Sequence, residues 1–230
     1  MVLLPGMDGT GELFARFVAC APPGFECVSI AFPLHTWRYQ HFVDWLGERL
    51  PSDGPYVLVA ESFSGPIAVS LAAVATPRLR ALVLCNSFVV PPHSSLWKLL
   101  PWRLVFHFPP PAAAVRRYLV GPDAPADLVA DVQRTVRKVP PSVLAERLRL
   151  LLTKPQGRRL ADCTVPVLYV RGTRDRLVGE RGFREVQRQC PRVVRRDLNG
   201  PHLLLQVSPR ASWNAIQEFV ATLVNGLGHR

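Results

Sequence analysis

Tyr56-Val57-Leu58-Val59-Ala60-Glu61-Ser62-Phe63-Ser64-Gly65 carries the chain from a strand into a helix through one serine. The first five residues never alternate with polar ones, which is the pattern of a strand buried on both faces of a parallel sheet. From Gly65 to Ala75 the chain is rich in Ala, Val, Leu and Ile and reads as a helix. Pro66 is tolerated near its start, where backbone amides have no intrahelical partner. A strand that turns sharply into a helix projects the residue at the bend, here Ser62. Small residues two positions to either side let the backbones approach; Ala60 and Ser64 stand where the G-x-S-x-G pattern has glycine. The bend also sets Ser62 at a helix N-terminus, with the Phe63 amide and the positive end of the helix dipole facing any negative oxygen formed beside it. Taken alone, these residues are more often a Ser-rich turn than a nucleophile, so the rest of the chain has to decide.

Working outward, apolar runs alternate with helical patterns, which predicts an α/β protein with a mostly parallel sheet of about six strands and helices on both faces. The expected strands are Val2–Leu4, Cys27–Ala31, Tyr56–Ala60, Ala81–Cys85, Val167–Val170 and Val193–Asp197, the last interrupted by Arg195 and Arg196. Helices are expected near Leu13–Ala19, Trp37–Leu50, Gly65–Ala75, Gly182–Gln189 and Ser212–Leu223. Between Val90 and Cys163 the alternation stops. Prolines cluster at 91–92, 109–111 and 140–141, and Leu128, Val132, Val136 and Val139 recur at helical spacing, as do Leu144, Leu148 and Leu151. Residues 91–159 therefore read as a helical cap inserted into a core made of residues 1–90 and 160–230. The first strand begins almost at Met1, so either the sheet is minimal or residues upstream of Met1 belong to it.

With 230 residues, 48% hydrophobic and 20% charged, the chain is long enough for one sizeable core and is not of disordered composition. No apolar run approaches the roughly 18 residues of a membrane span, and Pro5-Gly6 ends the short apolar start, so a soluble cytoplasmic protein is expected. The five cysteines, Cys20, Cys27, Cys85, Cys163 and Cys190, are scattered without C-x-x-C spacing, which points to free thiols rather than disulfides or zinc. The net charge of +11 is spread along the chain as arginine. No basic block joins an aromatic stacking pattern, so a solvated surface is expected and no nucleic-acid partner.

A serine nucleophile needs a histidine to take its proton and an acid to orient that histidine. Of six histidines, His229 is in the tail, His35 and His41 lie near the second helix, and His93 and His107 lie in the cap. His202 follows the last strand in the turn Asn199-Gly200-Pro201-His202, at a carboxyl edge, where open α/β sheets collect ligand sites. Asp175 lies in the loop after the Val167–Val170 strand, between Arg174 and Arg176, where a surface ion pair is the competing reading. Asp197 competes as the acid but ends its own strand five residues before His202, and the loop after Cys85 offers Asn86 rather than a carboxylate. Leu4-Pro5-Gly6-Met7-Asp8-Gly9-Thr10-Gly11 supplies a Gly-rich turn fit for an oxyanion loop. Its rival, a phosphate loop, lacks the lysine and the spacing.

The order Ser62, Asp175, His202 is that of α/β-hydrolases, and the chain resembles that superfamily from Leu3 to the final helix. Within it, the Leu4–Gly11 and Glu61–Gly65 segments resemble a bacterial branch of small serine hydrolases and are similar to the hydrolase-like part of plant phytyl-ester synthases. The resemblance implies oxyanion donors at the backbone amides of Met7 and Phe63, and no metal or other cofactor. This sequence departs from the pattern at Ala60 and Ser64, at Pro5 where many relatives carry His, and in lacking the two strands that usually open the fold. That last departure leaves the strand around Val28–Ala31 as an exposed edge and a surface for homodimer pairing.

The expected activity is that of a serine hydrolase acting on carboxylic esters through an acyl-enzyme, with a small-molecule ester or acyl compound as substrate. An acyltransferase or thioesterase using the same residues is the alternative. A non-catalytic binding protein of this fold is a third reading. The cap aromatics Trp97, Trp102, Phe106 and Phe108 favour an apolar acyl group, unless they only pack the cap onto the core.

Overall fold

The computed structural model describes residues 1–35, 38–74, 77–153 and 159–227. Its strands are β1 (Val2–Leu4), β2 (Val28–Ser29), β3 (Tyr56–Glu61), β4 (Leu79–Cys85), β5 (Val167–Gly172) and β6 (Val194–Leu198). They form one sheet in the order β2-β1-β3-β4-β5-β6, and every neighbouring pair is parallel.

Because successive strand residues point to opposite faces, the unbroken apolar runs feed two cores. Leu4, Leu58, Ala60, Leu82, Leu84 and Tyr169 face one layer, covered by helices α2 (Tyr39–Gly47), α3 (Gly65–Ala73) and α8 (Gly179–Gln189). Leu3, Val57, Val59, Val83 and Val170 face the other, covered by α1 (Ala15–Val18), α9 (Leu204–Val207) and α10 (Pro209–Leu227). Trp213 of α10 stacks on Phe17 of α1 with centroids 4.6 Å apart and donates its indole N–H to the Phe17 carbonyl at 2.7 Å. The expected α/β architecture with helices on both faces is what forms.

Boundaries shift where pairing partners run out. The second strand shrinks from 27–31 to two exposed residues because it is an edge with one neighbour. The last strand tolerates Arg195 and Arg196 for the same reason: it is the opposite edge, and Arg195 reaches Glu180 and Asp197 at 2.8 Å. The expected helix ends at Trp37 and Ala75, and His229, lie outside the described residues.

Between β4 and β5 the described residues add the α-helices α4 (Trp102–Val105), α5 (Ala112–Val115), α6 (Ala126–Lys138) and α7 (Pro141–Leu151). Prolines lead into these helices rather than break them, although the pair at 91–92 precedes none of the four. Pro111, Pro125 and Pro140 occupy N-caps and Pro141 the first turn, positions where a missing N–H costs nothing. Leu128, Val129 and Val132 of α6 form a small core with Val115, Val120 and Leu203, and the Leu203 amide donates to the Leu119 carbonyl at 2.8 Å. The helical segment is thereby fastened to the loop that carries His202.

After β1 the chain runs to β2 through α1, then returns through α2, on the opposite face, to β3 beyond β1. The strand order reverses between β1 and β3, so their carboxyl ends border the crevice where sheets of this kind hold ligands.

Candidate active site

Ser62 is the residue at the bend that leaves β3, with φ at 52°, a left-handed conformation that a non-glycine residue adopts only where its surroundings hold it. Three contacts do so. The Ser64 hydroxyl donates to the carbonyls of Leu4 (2.9 Å) and Glu61 (3.0 Å), stitching the bend to the end of β1. The Ser87 hydroxyl donates to the Ser62 carbonyl at 2.5 Å. The Phe63 ring is fully buried among Phe32, Tyr39 and Phe42. Serine in place of the second elbow glycine therefore adds anchoring without changing the bend.

The structure brings the three distant candidates together. His202 Nε2 lies 2.9 Å from Ser62 Oγ, and His202 Nδ1 lies 3.0 Å from Asp175 Oδ1. The Asp175 side chain is fully buried and accepts from the amides of Leu177 (2.8 Å), Val178 (3.4 Å) and Gly179 (3.2 Å) at the start of α8. Arg174 and Arg176 do not claim it. Asp197, the rival acid, is held instead by Arg171 and Arg195, which push its carboxyl far below the usual range. His35, His41 and His107 are exposed. Burial alone would lower the His202 imidazole. The charge and hydrogen bond of Asp175, with a further contribution from Glu61, leave it above its ordinary value. Burial works against the Asp175 charge, yet His202 and the Leu177 and Gly179 amides hold its carboxyl below the ordinary value.

Two residues that support this arrangement escaped the sequence reading. Asn86, passed over as a poor acid, sits at the end of β4 with φ at 41°. Its amide nitrogen donates to the carbonyls of Pro201 (2.9 Å) and His202 (2.7 Å), and its carbonyl accepts from the Gly172 amide at 2.7 Å. It clamps the His202 loop onto the end of β5. Gly172 completes the clamp, because a Cβ there would stand 2.5 Å from the Pro201 carbonyl oxygen. Asn86→Ala is expected to lower stability by about 2 kcal/mol, since it strips three buried hydrogen bonds and takes this partner from the Gly172 amide and the Pro201 carbonyl, while the His202 carbonyl keeps the Leu204 amide. A urea titration of the variant against the parent measures this; an unchanged midpoint would remove Asn86 from the account.

The second is Arg147, on α7. It falls on the apolar stripe of Leu144, Leu148 and Leu151, and that misplaced charge was the available signal. The side chain is almost fully buried and donates to the carbonyls of Met7 (3.0 Å), Asp8 (2.5 Å) and Pro33 (3.3 Å). Burial lowers its pKa to about 10, which still leaves it charged at neutral pH. Gly9, at φ 68°, leaves room for the guanidinium, which a Cβ there would overlap. The loop after β1 is thus held from above by the helical segment. It passes close over the serine: a Cβ on Gly6 would lie 3.9 Å from Ser62 Cβ. Met7 and Phe63 flank Ser62 on this loop and on the bend.

Beneath the serine, Glu61 is buried and accepts from Gln206 Nε2 at 3.0 Å, while its Oε1 finds no partner among the described residues. Burial raises its pKa from 4.5 to about 7. Between those values the folded protein holds a proton that the unfolded chain has lost, so stability falls as pH rises through that window. Glu61→Gln is expected to flatten that fall, which is on the order of 3 kcal/mol over the window. Thermal melts at both ends of the window check it; a parent whose melting temperature does not fall would contradict it.

Among the described residues no group of three or more His, Cys, Asp and Glu side chains is arranged to hold a metal ion, and no helix is long and apolar enough to cross a membrane.

A parallel sheet with a crevice at the β1/β3 reversal, a serine at a strand-to-helix bend and the hydrogen-bonded succession Ser62, His202, Asp175 are features of the α/β-hydrolase class of fold. Residues 1–216 match the model of the alpha/beta hydrolase family, and the chain belongs to that family. Among curated proteins it is 30% identical over 118 residues to "Probable oxidoreductase EphD" of Mycobacterium tuberculosis and of Mycobacterium bovis. That match spans 50% of this chain and only 20% of those proteins. Among solved structures, a putative aryl esterase from Burkholderia cenocepacia superposes with a TM-score of 0.78 at 13% identity, covering 98% of this chain and 90% of that one. The enol-lactonase from Burkholderia xenovorans LB400 gives 0.70 at 17% identity, covering 97% and 90%. At these identities the likeness is one of fold.

Proposed function

We propose that the protein is a serine hydrolase of carboxylic esters, with Ser62 as nucleophile, His202 as general base and Asp175 as the acid that orients and balances it. The observation that carries this reading is the continuous relay from Ser62 Oγ through His202 to an Asp175 held by three amides. His202 takes the serine proton as Ser62 Oγ attacks the ester carbonyl. The Met7 and Phe63 amides receive the oxyanion of the tetrahedral intermediate, each donor contributing on the order of 10²–10³ in turnover. Collapse of the intermediate expels the alcohol, which His202 protonates. A water deprotonated by His202 then releases the acid and regenerates Ser62. In this reading residues 91–159 act as a cap on a core of residues 1–90 and 160–230, and Arg147 couples that cap to the oxyanion loop. The names of the aryl esterase and enol-lactonase neighbours are consistent with ester chemistry on this fold.

The test is turnover of p-nitrophenyl esters of graded chain length by the parent protein, beside a matched thioester. Ester hydrolysis that vanishes in Ser62→Ala is the expected result; no turnover of any ester would overturn the proposal. Running the assay with a competing long-chain alcohol separates hydrolysis from acyl transfer, which uses the same residues.

A further inference from the structure

The aromatics Trp97, Trp102, Phe106 and Phe108, read from the sequence as favouring an acyl group or as packing onto the core, pack only in part: Trp102 and Phe106 are half-buried, and Trp97 and Phe108 are exposed. Seven of the twelve exposed large apolar side chains among the described residues fall within residues 96–108, so the apolar surface is concentrated rather than scattered. Leu99 is 82% exposed, Leu96 69%, Phe108 66% and Leu104 62%. Exposed apolar side chains concentrated in one short segment point to an interaction site.

The face is built on an aromatic column. His93 stacks on Trp97 (5.2 Å), Trp97 on Trp102 (5.8 Å), and Trp102 packs against Phe106 (6.0 Å). Phe106 rests on Val139, Val143 and Leu144, which fixes the column to α7 and its N-terminal approach. The other end begins at His93, which lies within electrostatic reach of Asp175 and His202.

Charge decides what covers it. No Asp or Glu occurs between Glu61 and Asp123, while Lys98, Arg103, Arg116 and Arg117 all fall in residues 91–122. Lys98 and Arg103 have no ion-pair partner among the described residues. A second copy of the chain would set these like charges against each other. The backbone here is a short 3-10 turn (Ser95–Leu99) followed by the four-residue α4, neither a groove for a peptide helix nor a strand edge. Exposed leucines, tryptophans at the boundary and unpaired cations suit a surface with an apolar interior and anionic headgroups.

We propose that residues 96–108 form a docking face for an anionic lipid bilayer, with Leu99, Leu104 and Phe108 entering the acyl region and Lys98 and Arg103 at the headgroups. Resting on the ester-hydrolase reading, the proposal adds that the site takes its ester from that surface.

The test uses the full chain carrying Ser62→Ala, so that binding is read without turnover, floated with phosphatidylcholine vesicles with and without phosphatidylglycerol. The protein is expected to float with the phosphatidylglycerol vesicles and far less with the uncharged ones. Lys98→Gln with Arg103→Gln should weaken partition about 25-fold, roughly fivefold per cation. Leu99→Asp with Phe108→Asp should abolish it while leaving the melting temperature as in the parent, because both side chains are exposed. Failure to bind phosphatidylglycerol vesicles, equal binding to uncharged ones, or unchanged binding by Leu99→Asp/Phe108→Asp would overturn the proposal. So would a concentration-dependent dimer that this double variant dissolves, in protein that binds no vesicles. The two readings fail separately. Vesicle binding in a protein whose parent hydrolyses no ester upholds docking and removes the hydrolase. Hydrolysis of a water-soluble ester without vesicle binding removes docking alone.

Discussion

Ser62→Ala is expected to lower kcat/KM on a carboxylic ester by about a millionfold. Ser62 Oγ is the only hydroxyl hydrogen-bonded to His202 Nε2 among the described residues, so its removal leaves the base without a nucleophile to activate. The loop after β1 and the crevice should survive and are expected to sustain roughly 10³-fold catalysis over water. The fold should persist, because the contacts that hold the bend come from Ser64, Ser87 and Phe63 rather than from Ser62 Oγ. Rate and melting temperature measured together separate loss of chemistry from loss of structure. A variant that melts like the parent and keeps its activity would exclude Ser62 as nucleophile.

Asp175→Asn is expected to cost about 10⁴ in kcat at neutral pH. Asparagine has one acceptor oxygen where the carboxylate has two: with that oxygen on the Gly179 amide, its NH₂ takes the place of Oδ1, gives up the Leu177 amide and faces His202 Nδ1. That nitrogen must then accept, so the ring proton moves to Nε2 and faces Ser62 Oγ, where a base is needed. The pH profile carries a second signature. In the parent, His202 lies above the ordinary histidine value because of Asp175, so kcat/KM should rise with pH through a midpoint above about 6.5. Without the carboxylate, burial lowers the imidazole and the midpoint should move down. A profile identical to that of the parent would mean that Asp175 does not face the working histidine.

The fold was legible because strands buried on both faces cannot alternate, and their carboxyl-end loops announced themselves through turn residues. Ser62, Asp175 and His202 could be proposed from position because each lies in the loop or bend at the carboxyl end of an expected strand. Asn86 was not legible, since a buried clamp between two loops depends on contacts 86 and 116 residues away. Arg147 left a trace, a charge on an apolar helical stripe, but its partners lie across the chain in the Met7–Asp8 turn. The aromatics of residues 97–108 could not be placed, because residue type shows that a side chain is apolar, not whether anything covers it. Their exposure on short proline-led turns followed from tertiary packing alone.

The central claim is that Ser62 is an activated nucleophile in the folded protein. Labelling native protein with a fluorophosphonate, followed by mass analysis of its peptides, tests this most directly. One adduct per chain is expected, on Ser62, absent from urea-unfolded protein and from Ser62→Ala. An unlabelled native protein, or an adduct on another residue, would contradict it.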